Sequence, residues 1–232
     1  MSAIDLWLGR HRDTAADLPG ADLPWLARLR EDAIDRFADE GWPTTRRENW
    51  RHTSLAFMAQ QALAVREAAA PEAVVAALRA RYQAARGAAQ DAAQQGAESA
   101  PELVHNDGHW VVFVDGHFAP ALSAIGGLPG GVRIGSLADA LGQIPEAVEA
   151  AFGQAGDGEA PAALNAALAA DGAWIRLGRG VAVEPPIHLV FIGATVADQH
   201  LRNLVVAEAG AQATIVEHYP AGAAGSTLTT AV

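Results

Sequence analysis

The stretch from Pro43 to Leu55, "PTTRRENWRHTSL", holds the densest set of side chains that could do chemistry. Its three arginines suggest an anion site, because guanidinium groups pair with phosphates and carboxylates. On a helix, Arg47 and Arg51 share a face that Arg46 does not. The spacing therefore favours a pinned corner with solvated or aromatic-stacked arginines over a three-arginine clamp, and it gives His52 no chemical role.

The same stretch carries a helix-start signal. Thr45 followed by Glu48 has the capping-box spacing, in which each side chain bonds the backbone amide of the other. This pattern predicts a short helix that begins at Thr45 and buries Trp50 on its core side.

Histidines raise the question of a metal site. His105 and His109 have helical i, i+4 spacing, but the intervening "NDG" is typical of a turn and no HExxH motif is present. Glu217 and His218 are adjacent on a predicted strand, so they point to opposite faces and cannot chelate one ion together. His188 is expected near His218 if the strands coil. We predict no metal-ligating residue.

Motifs for nucleotide binding and hydrolysis are missing. "GGLPGGVRIGS" lacks the P-loop lysine and the dinucleotide glycine spacing, so it is interpreted as a loop that feeds a strand. Ser226 has no G-x-S-x-G context. We therefore predict no catalytic and no cofactor-binding residue, and we expect the protein not to be an enzyme.

Composition narrows the function classes further. The chain has 232 residues, 50% of them hydrophobic, a net charge of -11, no cysteine and no lysine. Disulfides, thiolate clusters and catalytic lysines are thereby excluded for this chain. The negative charge argues against nucleic-acid binding. No apolar run is long enough for a membrane helix and the N-terminus does not resemble a signal peptide, so we expect a cytoplasmic protein without membrane contact.

The first hundred residues show helical periodicity. Apolar residues recur at three- and four-residue steps at Leu26, Leu29, Ala33, Ile34 and Phe37. Asp22 is the predicted N-cap and Gly41 the stop. A second helix is predicted from Pro71, burying Val74, Val75, Leu78 and Tyr82. Residues 84–100 are rich in Ala and Gln and are interpreted as a solvated helix tail or a linker.

The period changes at Trp110. "WVVFVDGHFAPAL" predicts a hairpin around Asp115-Gly116, since this pair accepts positive φ angles. A strand then leads into a helix capped by Ser136. Two further helices follow Pro145 and Pro161, and the second is expected to end at Gly172.

Five short apolar segments follow from Trp174, namely "WIRLG", "PIHLVFIG", "LRNLVVAEAG", "AQATIVEHY" and "STLTTAV". Their close spacing suits a sandwich, a barrel or the coils of a β-helix. Periodicity alone does not choose among these three.

Four of these motifs, in order, resemble one family. "PTTRRENWRHTSL" is similar to the P-T-x-R-x-E-x-W-[KR]-[YH]-T-x-L signature of SufD, a scaffold subunit of the SUF iron–sulfur cluster assembly system. "FVDGHFAPALS", "PIHLVFI" and "RNLVVAEAGAQATIVEHY" resemble later segments of that family. The paralogue SufB carries cysteines, whereas this chain has none, which favours SufD.

The resemblance implies an α+β fold. It predicts an N-terminal helical region (1–100) that ends in the Ala/Gln-rich linker, a β-hairpin and helix segment (101–172), and the first coils of a right-handed parallel β-helix (173–232). SufD-like chains continue through more coils to a helical segment where the ATPase SufC docks. The chain is thus expected to be an N-terminal fragment, and the resemblance supplies no role for Arg46, Arg47, Arg51 or His52.

The function implied is that of a non-catalytic scaffold subunit of a SufB–SufC–SufD complex, in which an iron–sulfur cluster is present only transiently. Partners would be a SufB-like paralogue and a SufC-like ATPase, with weak self-association of the fragment through its last β segments. Two alternatives stay open. A cupin-like metal-binding barrel would use His188, His200 and His218, and a protein-interaction module would have no link to metals.

The composition generates a first prediction, which concerns cluster binding. Anaerobic reconstitution of the purified chain with iron and sulfide should leave no stable cluster, because clusters are held chiefly by cysteine thiolates and the chain has none. Visible absorption after desalting is the measurement. A brown protein with stoichiometric iron and sulfide would contradict the prediction.

Overall fold

The computed structural model describes residues 3–59, 70–94, 108–152, 160–194, 198–220 and 228–232. Across these residues the chain is α+β, with six α-helices and sheets of mixed strand direction. The helices are α1 (Ala3–Thr14), α2 (Pro24–Glu40), α3 (Pro71–Gln94), α4 (Leu137–Gln143), α5 (Pro145–Phe152) and α6 (Ala160–Leu168). None of the six is long and apolar enough to cross a membrane.

The apolar stripe predicted for the first long helix lies on α2. Leu26 and Phe37 are 2% and 0% exposed, and Gly41 ends the helix with a φ of 62°. The predicted N-cap at Asp22 is wrong, because Leu23 holds the cap position and no side chain caps the helix. The first helical residue is Pro24, which has no amide hydrogen, so one of the donors that a cap would satisfy is absent.

Helix α3 begins at Pro71, as predicted. Val75 is buried, and Val74, Leu78 and Tyr82 pack against the same apolar cluster. Of the predicted tail, residues 84–94 continue this helix. Residues 95–100 lie outside the described residues.

Nine strands are described. They are β1 (His109–Val114), β2 (His117–Phe118), β3 (Val132–Ser136), β4 (Ala173–Leu177), β5 (Ala182–Ile192), β6 (Asp198–Leu201), β7 (Leu204–Ala207), β8 (Gln212–His218) and β9 (Leu228–Ala231). The predicted hairpin is confirmed, since β1 and β2 pair antiparallel around Asp115 (φ 52°) and Gly116 (φ 82°).

The late strands pair in parallel at one sequence spacing. Strand β4 pairs with β7 through Trp174 and Leu204, and β6 pairs with β9 through Asp198 and Leu228. Strand β5 lies between β1 and β8 and is parallel to both. The first paired residues of β4–β7, of β5–β8 and of β6–β9 are each 30 residues apart. Strands β7, β8 and β9 therefore lie beside β4, β5 and β6 in the same order.

Two predicted boundaries are wrong. "LRNLVVAEAG" was predicted as one strand, but β6 ends at Leu201 and β7 begins at Leu204 in another sheet. The break is fixed by Asn203, whose side-chain oxygen accepts a hydrogen bond from the Ala173 amide at 2.9 Å. Helix α6 ends at Leu168, before Gly172, because the intervening backbone bonds β6 instead.

Four apolar clusters form the core. One fills the space between the two larger sheets, with Val111, Ile175 and Leu189 at its centre. A second joins α1, α2 and α6, a third places α4 and α5 over the outer side of β4 and β7, and a fourth places α3 over β1 and β5. The sheets are thus covered by helices on their outer sides.

The carboxylate of Asp171 connects strand β2, the start of helix α4 and the residues that lead into β4. Its Oδ1 accepts hydrogen bonds from Ser136 Oγ (2.8 Å), Ala138 N (3.0 Å) and Gly172 N (2.8 Å), and its Oδ2 accepts from Phe118 N (2.9 Å). Asp171 is 4% exposed. One buried charge therefore fixes β2, the start of α4 and the entry to β4.

Residues next to Asp171 add further contacts where β2, α4 and the entry to β4 meet, a region that we call the junction. Ser136 caps α4 as predicted, since its Oγ accepts from Asp139 N at 3.1 Å. A side chain at Gly172 would overlap the carbonyl oxygen of Arg202. The Arg202 amide donates to the Asp171 carbonyl at 2.9 Å. Glycine is required here because β6 and the entry to β4 lie in backbone contact.

Replacing Asp171 should destabilise the whole chain. Asp171→Asn places an NH₂ group where two oxygens accept four donors, so at least one buried donor loses its partner, and we expect a loss of about 3 kcal/mol of unfolding free energy. Urea unfolding followed by circular dichroism measures it. Asp139→Asn, on the exposed first turn of α4, is the control and should cost less than about 1 kcal/mol. Equal losses in the two variants would contradict the role of Asp171.

Candidate functional site

Two histidines meet on neighbouring parallel strands. Nδ1 of His188 on β5 lies 2.9 Å from Nε2 of His218 on β8, so one imidazole donates a hydrogen bond to the other. His188 is fully buried and His218 is half-buried. The expectation that these two residues meet is confirmed.

Aromatic rings surround this histidine pair. The Trp110 ring stacks on His188 with centroids 4.2 Å apart, and Tyr82 of α3 meets His188 edge-on at 4.5 Å. The guanidinium of Arg79 lies over Trp110 at 5.4 Å from the ring centroid. Parallel pairing of β1 with β5 aligns Trp110 with His188, and α3 brings the other two side chains. We call these four residues, together with His218, the histidine–aromatic cluster.

Burial keeps the pair neutral. Burial, with a smaller effect of the neighbouring His218, lowers the pKa of His188 to about 4. Burial, followed by the charge of Arg81, also lowers the pKa of His218. At neutral pH the two rings therefore form an uncharged hydrogen-bonded pair, suited to packing and to proton relay but not to anion binding.

The surroundings leave little space for a ligand. A cleft of about 220 Å³ beside the cluster is lined by residues that include Arg79, Tyr82, Gly108 and Trp110, a volume below the range usual for small-molecule sites. Nε2 of His188 is buried and has no hydrogen-bond partner among the described residues. A side chain at Gly108 would collide with the His188 ring, so this nitrogen faces the backbone closely.

The described residues bring no three potential metal ligands together. Glu217 points away from His218, as predicted, and accepts hydrogen bonds from Asn203 and Tyr219. His200, the third histidine of the cupin-like hypothesis, lies in a different sheet from the pair. His109 accepts from the Gly126 amide at 3.2 Å. His105 lies outside the described residues.

His200 belongs to a chain of polar contacts that holds α1. Its Nδ1 lies 2.8 Å from Thr230 Oγ1 and its Nε2 lies 3.3 Å from Asp198 Oδ2. Arg10 of α1 pairs with the same carboxylate. Burial alone would raise the pKa of Asp198, but the contacts with His200 and Arg10 outweigh it and lower that pKa. Trp7 meets the His200 ring edge-on at 5.6 Å, so these contacts fix the N-terminal helix against β6.

The arginine-rich corner is folded differently from its prediction. A 3₁₀ turn spans Glu48–Trp50 with Arg47 in the cap position, and the capping box of Thr45 and Glu48 does not form. Glu48 pairs instead with Arg51 at 2.6 Å. Trp50 is half-buried and belongs to none of the four apolar clusters, so its predicted core position is also wrong.

The arginines of this corner pair within the chain. Arg47 donates to Glu40 of α2 at 2.7 Å, and Arg51 also donates to His52 at 2.9 Å. Arg46 is exposed. Two of the three charges are thus matched locally, which agrees with a pinned corner and not with an anion clamp. Surface ion pairs of this kind contribute about 0 to 1 kcal/mol each.

Sequence reasoning missed the aromatic half of the cluster. Tyr82 was predicted as a buried residue of the second helix and Trp110 as the start of the hairpin, and Arg79 was not considered. The available signal was the pairing of the strands. In the parallel pair β1–β5, Trp110 lies opposite His188. In the parallel pair β5–β8, His218 lies two residues beyond the residue opposite His188.

Comparisons with known proteins point to one family. Residues 91–189 match the family described as SufBD protein N-terminal region. The iron–sulfur cluster assembly SufBD family protein slr0076 of Synechocystis sp. (strain ATCC 27184 / PCC 6803 / Kazusa) is 35% identical over 117 residues, which is 48% of this chain and 25% of that protein. The chain spans about a quarter of the length of this curated relative.

The histidine pair should make stability depend on pH. The pKa of His188 is about 4 in the folded chain and 6.5 as its ordinary value, so the unfolded state binds more protons between these limits. His188 therefore contributes stability above pH 6.5 that is lost as pH falls toward 4, by up to about 3 kcal/mol. Urea unfolding at several pH values measures it.

The matched variants isolate this effect. His188→Phe removes the titrating group and retains a ring against Trp110, so its stability should fall less between pH 7 and pH 4.5 than that of the unsubstituted chain. His117→Asn, at an exposed position of β2, should retain the original slope. Identical slopes in all three proteins would show that His188 does not titrate in this way.

Proposed function

We propose that this chain belongs to the SufB/SufD family, whose N-terminal region residues 91–189 match, and that it acts as a scaffold subunit in iron–sulfur cluster assembly. The match of these residues to the SufBD N-terminal region carries the proposal, and the similarity to slr0076 supports it. The SufD type is proposed over SufB because the chain contains no cysteine.

The proposed architecture is the beginning of a right-handed parallel β-helix. Three strand pairs with a common 30-residue spacing support it, because coils of equal length place successive strands side by side. The antiparallel strands β2 and β3 lie at the opposite sheet edges from β8 and β7, so they would cover the first coil.

The proposed role is non-catalytic. The histidine–aromatic cluster presents neutral rings that bond one another, and the arginine corner pairs with its own carboxylates, so the described polar groups hold elements together. Without thiolates the chain would not retain a cluster alone, and the cluster would be present only transiently in the assembled complex.

The proposed partners are a SufB-like paralogue and a SufC-like ATPase, in the cytoplasm. A scaffold subunit acts by holding partners at fixed positions. We therefore expect the partners to bind to the outer surface of the protein and not to the buried clusters. This proposal rests on family membership and on no single residue of the cluster.

Co-purification tests the proposal. The affinity-tagged chain would be co-expressed with a SufB-type protein and a SufC-type ATPase from one SUF operon, and at least one of the two should elute with it through gel filtration. The Asp171→Asn variant is the control, since loss of the folded junction should reduce co-elution. A folded chain that elutes without either protein would contradict the complex, with circular dichroism confirming the fold.

A further inference from the structure

The arginine-rich corner forms a closed surface loop. The amide of Leu55 donates to the carbonyl of Pro43 at 2.8 Å, so the two ends of residues 43–55 meet. Pro43 is buried, and Leu55 packs against the apolar cluster that joins α1, α2 and α6. The length and the closed ends are those of an Ω-loop, a type of surface loop that is frequently functional. We call residues 43–55, together with Phe57, the corner loop.

Successive backbone turns fix the shape of the corner loop. The amide of Arg47 donates to the Thr44 carbonyl at 3.0 Å, and the amide of Trp50 donates to the Arg47 carbonyl at 2.9 Å. The amide of Thr53 donates in turn to the Trp50 carbonyl at 2.9 Å. The Arg47 side chain ties this series of turns to Glu40 of α2 at 2.7 Å. The loop is therefore ordered in advance, and a partner would lose little binding free energy in ordering it.

The side chains at the tip of the corner loop add nothing to the core. Arg46, Arg51 and His52 are exposed, and Arg46 forms no ion pair with the residues that the structure describes. Trp50 is half-buried and lies outside the four apolar clusters. Phe57 is 57% exposed, more than any other large apolar side chain in the described part of the chain. Packing of the fold therefore does not explain these residue types.

The composition of the corner loop is typical of a protein–protein interface. Arginine and aromatic residues are enriched where proteins bind each other, and tryptophan and arginine account for much of the binding free energy. Residues 43–55 contain three arginines and one glutamate, whereas the whole chain has a net charge of -11. The loop is thus a cationic region on an acidic protein. Charge complementarity favours a partner surface that is rich in carboxylates.

We propose that the corner loop binds an acidic segment of another protein, with partner carboxylates at Arg46 and Arg51 and an apolar partner side chain against Phe57. Arg51 already pairs with Glu48, but both side chains are exposed, at 61% and 82%. A guanidinium has five donors, so Arg51 can bind a second carboxylate without losing the first. The inference concerns a further partner and does not depend on the proposed function.

A nucleic acid fits the corner loop less well than a protein segment does. Affinity for DNA or RNA depends on neutralising many phosphates with clustered basic residues. The net charge of -11 repels the parts of a long polyanion that extend beyond the loop. A short acidic segment places its few charges at the arginines alone, and its apolar side chain uses the exposed ring of Phe57. The loop therefore favours an acidic protein segment.

Titration of the isotope-labelled 232-residue chain with a synthetic peptide, followed by NMR, tests the proposal. The probe is a peptide of about 12 residues, composed of Glu and Ser with Leu at its centre. Amide signals of residues 43–55 and the indole signal of Trp50 should shift, with a Kd of about 100 µM at low salt. The same peptide with Gln in place of Glu should bind about fivefold more weakly or less, because it carries no charge.

Substitutions in the corner loop separate the two kinds of contact. Arg46→Glu should weaken binding of the acidic peptide by about tenfold, because attraction becomes repulsion. Phe57→Ala should weaken it by about threefold, because an apolar contact is lost. Arg133→Glu makes the same charge change at an exposed position of β3 and should bind as the unsubstituted chain does. Both loop variants should keep the original urea midpoint, since both positions are exposed.

Several outcomes of these titrations would overturn the proposal. The peptide might shift no signal at about 1 mM, or shift only signals outside the corner loop. Arg46→Glu and Phe57→Ala could both leave binding unchanged, or Arg133→Glu could weaken it as much as Arg46→Glu does. An oligouridylate RNA that shifts the corner-loop signals at lower concentration than the peptide would identify a nucleic-acid surface instead.

Discussion

The buried carboxylate of Asp171 is the contact on which the arrangement of helices and sheets depends. Four donors from three elements converge on its two oxygens, and charge-assisted hydrogen bonds of this kind are stronger than neutral ones. Because the donors include the amides of β2 and of α4, the charge sets where the hairpin ends and where α4 begins. Ser136 then serves twice, as a donor to Asp171 and as the cap of α4. Helices α4 and α5 cover the outer side of β4 as a result.

A second constraint is the common spacing of the parallel strands. Parallel pairing also stacks like residues over one another, as in the ladder of Phe113, Phe191 and Tyr219. A register shift between Val183 and Ile187 reduces the spacing in the second half of β5, so His188 pairs with Val216. His188 and His218 therefore meet diagonally. Their nitrogens bond each other across this diagonal, and Trp110 stacks on both rings.

Much of the fold follows from the sequence, for reasons visible in particular residues. The hairpin at Asp115-Gly116 and the cap at Ser136 were predicted correctly, because both depend on a few neighbouring residues. The capping box at Thr45 was not, because Glu48 can also pair with Arg51, and sequence spacing does not rank the two. Strand β6 was missed because "DQHL" carries no apolar run. Its place depends on Asp198 and on pairing with β9.

Only the two histidines of the candidate site were predictable, because the contacts of the other residues depend on tertiary packing. Spacing placed His188 near His218, but the contacts of Tyr82 depend on α3, whose position is set by tertiary packing. This packing also determines the protonation state of His188. A histidine that is buried against aromatic rings loses its charge at neutral pH, and the same rings hold α3 to the sheet. The cluster therefore stabilises the fold by remaining neutral.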